Sequence, residues 1–299
     1  MSDNNNIILT VLLPMFRAKE IAWVAMDSLS RQVVGAGIKW ELIIAEESSL
    51  VQKSHDVFGE EMVASYTKKL KSAGCVRVKY YSLNRHMRLA RKWKFLAAKA
   101  SSSSRYCLLQ ASDIYSQPER VQDVADIANK KTKADWIRTT KGLYYDATTD
   151  STAIRDFLKP FRNKGTSNDM SIRTNLLQKM TLGRTEAERR RGIDSTLWNV
   201  AKRHVRNSEG REINIANIET DNWKNGLNIH GFGTISGANR GALISFKSPN
   251  SARMGFLKEC SIIDEDGKSK RITADYLLNA GHLPNVIKKV RKQFIKKTV

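Results

Sequence analysis

The stretch Leu108–Val121, LLQASDIYSQPERV, decides the fold. It is an apolar run that stops at a single carboxylate, Asp113, and turns through Pro118 and Glu119 into a helical pattern. A buried strand that hands over to a helix is the repeating unit of an α/β protein. Two roles for Asp113 are open at this point. It caps the helix that Pro118 opens, or it holds a metal or a diphosphate.

Outward from this stretch the same unit recurs. IILTVLLP, from Ile7, reads as a buried strand ended by Pro14, and KEIAWVAMDSLSRQ carries Ile21, Val24, Ala25 and Leu29 at a helical period. KWELIIAEESS is a second strand, a helix lies around Met62 to Leu70, and VRVKYYSL alternates as a third strand. RLARKWKFLAAKA is a basic helical segment, SSSS (Ser101 to Ser104) a turn, and RYCLLQASD a fourth strand. Strands and helices alternating at this spacing predict a mostly parallel central sheet flanked by helices. Right-handed crossovers then bring the strand C-termini to one edge, where ligands bind in open α/β sheets. Pro14, Phe16, Arg17, Glu46, Glu47, Asn84, Ser112 and Asp113 fall at those ends.

Beyond residue 130 the patterns are weaker. ADWIRTTKGLYYDA reads as strand, MSIRTNLLQKM and IDSTLWNVAKRH as helices, and GLNIHGFGTISG as a glycine-punctuated loop. The tail PNVIKKVRKQFIKKTV has six basic residues and no acid, with Val286, Val290 and Phe294 at four-residue steps. That is an amphipathic helix whose stripe docks on its own domain or rests on a membrane.

Composition bounds the reading. The 41% hydrophobic content and six Trp fit a globular chain of 299 residues. Cys75, Cys107 and Cys260 give neither a disulfide framework nor zinc spacing, and read as reduced core residues. With no apolar stretch long enough to cross a bilayer and no leader pattern, the expected location is the cytoplasm (a host's cytoplasm if the source is viral). Lys and Arg number 51 against 30 Asp and Glu, a net charge of +21. Such an excess fits a polyanionic partner: nucleic acid, an anionic membrane surface or a phosphorylated substrate.

The order of these pieces resembles the nucleotide-sugar glycosyltransferases of the GT-A fold, specifically the inverting family 2, over roughly positions 7 to 200. LTVLLPMFRAKEIAWVAMDSLSRQ is similar to that family's V-S-V-I-I-P-x-Y-N strand and its helix ending in S-x-x-x-Q. WELIIAEESS resembles E-L-I-I-V-D-D-G-S, and LNRHMRLARKWKFLAAKA resembles N-x-G-x-x-x-A-R-N. LLQASDIYSQPERV falls where the family has D-x-D and a later Pro-Glu. The chain departs from the pattern in three places. Glu46 and Glu47 replace the usual acids, His86 replaces a glycine, and Ala111 removes the first D-x-D carboxylate.

The resemblance implies a GT-A, Rossmann-like fold with a nucleotide-sugar-binding half over 1–130, an acceptor-binding half over 131–235 and a basic C-terminal extension over 236–299. It implies donor contacts from Pro14, Phe16, Arg17, Glu46, Glu47, Asn84, Arg91, Ser112 and Asp113. It implies a divalent cation, Mn²⁺ or Mg²⁺, held by Asp113 with help from His230. Since Mg²⁺ takes only one or two ligands from protein, a single Asp is enough where phosphate and water supply the rest. The general base is expected at Asp194 in RRGIDSTLW, where an N-cap role is equally available. Arg17, Arg91, Arg173 or the Arg189 to Arg191 cluster would stabilise the leaving diphosphate.

Two acceptor readings and one non-enzymatic reading follow. The charge fits transfer to hydroxymethylated pyrimidines in DNA, as in some phage-type enzymes, with the base flipped into the cleft. Between Asn84 and Arg105 there are seven Lys or Arg and no acid. A glycan on a lipid carrier is the alternative, with the basic tail on anionic lipid. A non-catalytic nucleic-acid-binding protein on a degenerate GT-A fold is the third.

Overall fold

The computed structural model describes residues 7–116, 118–130, 133–139, 141–146, 151–156, 170–189, 193–218, 243–247, 262–263, 269–270, 272–273 and 284–294. The chain opens with β1 (Ile7–Met15), α1 (Ala22–Leu29), β2 (Lys39–Glu47), α2 (Glu60–Ser72), β3 (Cys75–Leu83), α3 (Leu89–Ala97) and β4 (Tyr106–Leu109). It continues with β5 (Ile114–Ser116), α4 (Arg120–Lys130), β6 (Trp136–Thr139), β7 (Lys141–Asp146), β8 (Ser151–Asp156) and β9 (Met170–Arg173). Then come α5 (Thr174–Lys179), α6 (Arg184–Ala187), α7 (Ile193–Glu209) and β10 (Ile215–Ile218). The last elements are β11 (Leu243–Lys247), the two-residue strands β12 (Ile262–Ile263), β13 (Ser269–Lys270) and β14 (Ile272–Thr273), and a helix α8 (Pro284–Phe294).

The central sheet has seven strands in the order β10-β6-β9-β4-β1-β2-β3. β4, β1, β2 and β3 are parallel, β9 runs antiparallel to both β4 and β6, and β10 is parallel to β6. Six strands therefore share one direction, and the four that the alternating pattern marks, β1 to β4, are among them. A second sheet, β14-β8-β7-β11-β5, stands beside it.

Strand alternation sorts the core into two layers. Leu9, Val11 and Leu13 of β1 with Trp40, Leu42 and Ile44 of β2 face α1, α2 and α4. Leu12, Ile43, Ala45, Cys107 and Leu109 face the opposite layer of α3, α5 and α7. Burial of side chains this size is worth roughly 1.5–3 kcal/mol each. α2 ends at Gly74, whose φ of 82° favours glycine and whose Cβ would meet Val34 Cγ2 at 2.5 Å.

Two segments differ from the sequence reading. Residues 170–180 read as one helix, but Met170–Arg173 is strand and the helix begins only at Thr174. Met170 and Ile172 bury by alternation in the layer that also takes Leu176, Leu177 and Met180 at helical spacing. Residues 134–147 read as one strand but divide into β6 of the central sheet and β7 of the second.

The tail helix docks on its own domain. Val286 and Val290 are buried with Trp23 in the first core layer. Trp23 Nε1 donates to Gln293 Oε1 at 3.1 Å, Gln293 Nε2 donates to the Glu20 carbonyl at 2.6 Å, and Lys289 Nζ lies 3.9 Å from the Trp23 ring centroid. No helix among the described residues is long and apolar enough to cross a membrane.

Candidate active site

Parallel pairing brings the C-terminal ends of β1, β2, β3 and β4 to one edge, and the predicted residues divide there by strand parity. Glu46 and Glu47 are both fully buried but belong to opposite faces of β2. Glu46 turns to the α2 side. It accepts from the Phe58 and Gly59 amides at 2.8 and 2.9 Å and from the Tyr80 hydroxyl at 2.8 Å. Burial and the Glu46 carboxylate push the Tyr80 phenol up, so it stays a donor. Glu46 thus anchors the loop entering α2.

Glu47 turns to the α3 side and centres a buried cluster. Its carboxylate accepts from Lys92 Nζ at 2.8 Å, His86 Nδ1 at 2.9 Å and the Met87 amide at 3.1 Å. Lys92 Nζ also donates to the Met15 carbonyl at 2.8 Å, tying α3 to the end of β1. Burial raises the Glu47 pKa, but bonds from Lys92, His86 and the Met87 amide outweigh it and hold the carboxyl below its ordinary value. Burial pulls the Lys92 ammonium down against the pull of Glu47. An ionised carboxylate only accepts, so the His86 Nδ1 facing it carries a proton, while the His86 side chain remains 44% exposed.

Above this cluster lies an aromatic rim. Phe16 is 41% exposed and meets His86 edge-on at 5.5 Å between ring centroids. Arg17 Cζ and Lys92 Nζ stand 5.1 and 5.3 Å from the Phe16 centroid. Arg17 has φ 50°, a left-handed conformation rare for a side-chain-bearing residue, and its amide donates to Gln52 Oε1 at 2.7 Å. Strain of that kind costs roughly 1–3 kcal/mol and collects at functional loops. Gln52 in turn donates to the Glu47 carbonyl. Pro14 is buried within β1, opposite Ala45. Asn84, just past β3, accepts from Ser48 Oγ at 3.0 Å.

The turn after β4 excludes one of the two roles open to the single carboxylate. The Ile114 amide donates to the Ala111 carbonyl at 3.3 Å, so Ser112 and Asp113 occupy the middle of a turn leading into β5. That strand separates Asp113 from α4, so Asp113 does not occupy the helix cap. A buried bracket holds the turn. Arg120 donates to Gln110 Oε1 at 2.6 Å, Ser116 Oγ at 2.8 Å and the Leu109 carbonyl at 3.0 Å, and Ser116 Oγ donates to Gln110 Oε1 at 2.6 Å. Sequence reasoning missed Gln110 and Arg120; the apolar run ending on a glutamine, ten residues before an arginine, was the available signal.

One expected residue, Arg173, lies away from that edge. Arg173 lies opposite Tyr106, at the start of β4, and therefore at the far edge of the sheet. It is bound to Asp135 at 3.0 Å and Glu209 at 2.5 Å. Asp135 is buried, and bonds from Arg211 and Arg173 with the Asn214 amide overcome its burial and keep its carboxyl low. Arg173 is thus a framework residue, not a diphosphate contact. Arg91 reaches Glu188 at 2.6 Å, and Arg189 donates to Thr196 Oγ1 at 3.4 Å. Asp194 is the second residue of α7, inside the helix rather than at its cap; its side chain lies outside the described residues, as does all of His230. Among the described residues no three His, Cys, Asp or Glu side chains converge as a ready-made metal site. The Ala111–Asp113 turn offers one carboxylate, which fits a cation taking its other ligands from phosphate and water.

No family model and no curated protein matches the sequence. Solved structures do. Staphylococcus aureus TarS 1–349 in complex with UDP-GlcNAc matches with a TM-score of 0.52 at 12% identity, covering 97% of this chain and 72% of that one. TarS 1–349 in complex with UDP matches with a TM-score of 0.51 at 14% identity, covering 81% and 61%. Across its matches to TarS 1–349 the chain spans between 55% and 72% of that length. At this identity the likeness is one of fold: the mostly parallel α/β architecture is shared.

Proposed function

We propose that the chain is a nucleotide-sugar-dependent glycosyltransferase of the inverting kind. The observation that carries this reading is the convergence, at one sheet edge, of the Phe16–His86 rim, the Glu47–Lys92 pair beneath it and the braced Ser112–Asp113 turn. The fold is shared with a protein solved with UDP and with UDP-GlcNAc.

In this reading the nucleoside packs against the Phe16 ring and the exposed part of His86, with Asn84 and Ser48 at its margin. Glu47 acts indirectly by holding His86 and Lys92 in position. The acceptor hydroxyl gives its proton to the Asp194 carboxylate as its oxygen attacks the anomeric carbon. The bond to the diphosphate breaks, and the nucleoside diphosphate leaves with that electron pair. Arg17 offsets its charge. A divalent cation, when bound, supplies further charge neutralisation there, and Asp113 is the described residue that would hold it.

For the acceptor we favour a phosphate-rich polymer, with hydroxymethylated pyrimidines in DNA first. The net charge of +21 supports this, and so does the docked tail, whose Val286 and Val290 are spent inside the domain while Lys288 and Lys292 stay exposed. The basic run from 84 to 105 contributes less than its composition implies, because Lys92, Lys94 and Arg105 are engaged internally. A lipid-carried or surface glycan is the second reading, its tail contact limited to charge. Incubation with hydroxymethylated DNA and a panel of nucleotide sugars, followed by mass spectrometry of digested nucleosides, tests the choice. A hexose or pentose mass on the modified base supports DNA; no mass with any donor removes DNA as the acceptor.

A further inference from the structure

A cleft of about 470 Å³ runs between α3 and the segment joining α5 to α6, a size suited to a small ligand. Its floor is apolar, with Met87 and Met180 buried beside Phe95. Its walls are cationic, with Arg85, Arg91 and Lys94 on the α3 side and Arg184 opposite, and among the described residues no acid lines it. Lys94 Nζ is spent on the Gln178 and Met180 carbonyls at 2.5 and 2.7 Å. Arg85 and Arg184 are exposed and form no ion pair among the described residues.

Just beyond the rim, Glu188 sets a carboxylate against the arginines at the start of α3. Its half-exposed carboxylate lies 2.6 Å from Arg91 Nη2 and 3.9 Å from Arg88 Nε. The second distance is too long for a hydrogen bond, and Arg88 Nε is a buried donor left without a partner. A tetrahedral phosphate can satisfy both guanidinium groups where one planar carboxylate satisfies only the first. α3 adds to this, since its N-terminus has no side-chain cap and no acid in its first turn. The cleft is also well placed for the reaction. Met87 is bonded through its amide to Glu47, and Ile193, next to Asp194, packs in the same core layer as Met87 and Met180.

We propose that this cleft is an acceptor subsite that binds a phosphate group carried by the hydroxylated acceptor. Arg91 and Arg88 are its ligands at the position Glu188 now holds, Arg85 and Arg184 complete the cationic wall on the cleft side, and Glu188 is the displaceable occupant. This rests on the glycosyltransferase reading, and its test separates the two. The full chain is titrated with sn-glycerol 3-phosphate, and with glycerol as the uncharged control, with and without saturating UDP.

The expected result is saturable binding of glycerol 3-phosphate alone, unchanged by UDP. The R85A/R184A variant weakens it about tenfold or more without altering UDP affinity, since both side chains are exposed. Glu188→Gln tightens it severalfold by freeing Arg91. No saturable binding overturns the proposal. So does competition by UDP, which assigns the anion to the donor site, or wild-type affinity in R85A/R184A. If glycerol 3-phosphate binds as expected while UDP and sugar nucleotides do not bind, the cleft stands as a phosphate site and the transferase reading fails.

Discussion

Lys92 of α3 and Glu47 of β2 form an ion pair at 2.8 Å with side-chain exposures of 4% and 0%, directly beneath the rim formed by Phe16 and His86. A charge pair this buried is costly to break from one side, because the remaining charge is left without compensation. Lys92→Met is expected to destabilise the chain by about 3 to 5 kcal/mol, and the K92M/E47Q double variant by less than K92M alone. Urea unfolding of the three proteins measures this.

The same pair sets an acid limit. Glu47 has its native pKa depressed below the ordinary 4.5, so its contribution is fully present above that value and is lost as pH falls through the native pKa. Melting temperature is expected to drop as pH is lowered below about 4.5, and the drop is expected to be shallower in K92M/E47Q. Identical slopes in the two proteins would remove Glu47 as the source.

Arg120 is expected to matter for the donor although it lies beneath the site. It is 2% exposed and spans Gln110, Ser116 and the Leu109 carbonyl. Arg120→Met removes the donors to the Leu109 carbonyl, Gln110 Oε1 and Ser116 Oγ, leaving only the Ser116–Gln110 bond of the bracket, at about 1–3 kcal/mol for each buried group left unsatisfied, and loosens the Ser112–Asp113 turn. Affinity for a sugar nucleotide is expected to fall at least tenfold under conditions where the variant remains folded by circular dichroism.

Cys75 and Cys107 are buried free thiols, each pushed up to about 12 by burial. The thiolate is the reactive form, so neither is expected to react with iodoacetamide at pH 8 in the native chain, and both should label fully in urea. Peptide mass spectrometry reads each site separately.

The tail helix is expected to contribute to the fold. Val290 is fully buried against the layer that holds Trp23. Val290→Asp is expected to cost about 2–4 kcal/mol through burial of an unpaired charge, lowering the melting temperature by several degrees. An unchanged melt would mean that the helix is undocked in solution.

Much of this architecture was legible where chain period and length agree. The first four strands are apolar runs or, in β3, an alternating one, three of them nine residues long and separated by helices of regular spacing, so their order and direction follow from the pattern. β9 was not legible, because its four residues run straight into α5 and the two periods blend into one apolar stretch. β5, with three residues, is shorter than any periodicity can mark. The site was half legible. The sequence placed Glu47 and Asp113 at the ends of strands, where the structure has them, but did not show the use of Lys92 and Arg120, whose partners are remote or on another element. In the sequence Lys92 is one more charge in a basic run.

Calorimetric titration of the chain with UDP, UDP-GlcNAc and other sugar nucleotides, compared with Phe16→Ala and Asp194→Asn, tests the central claim most directly. The account predicts saturable uptake of at least one sugar nucleotide, weakened about tenfold or more by Phe16→Ala and retained in Asp194→Asn while transfer is abolished. Heat-free titrations with every sugar nucleotide, or turnover surviving in Asp194→Asn, would contradict it.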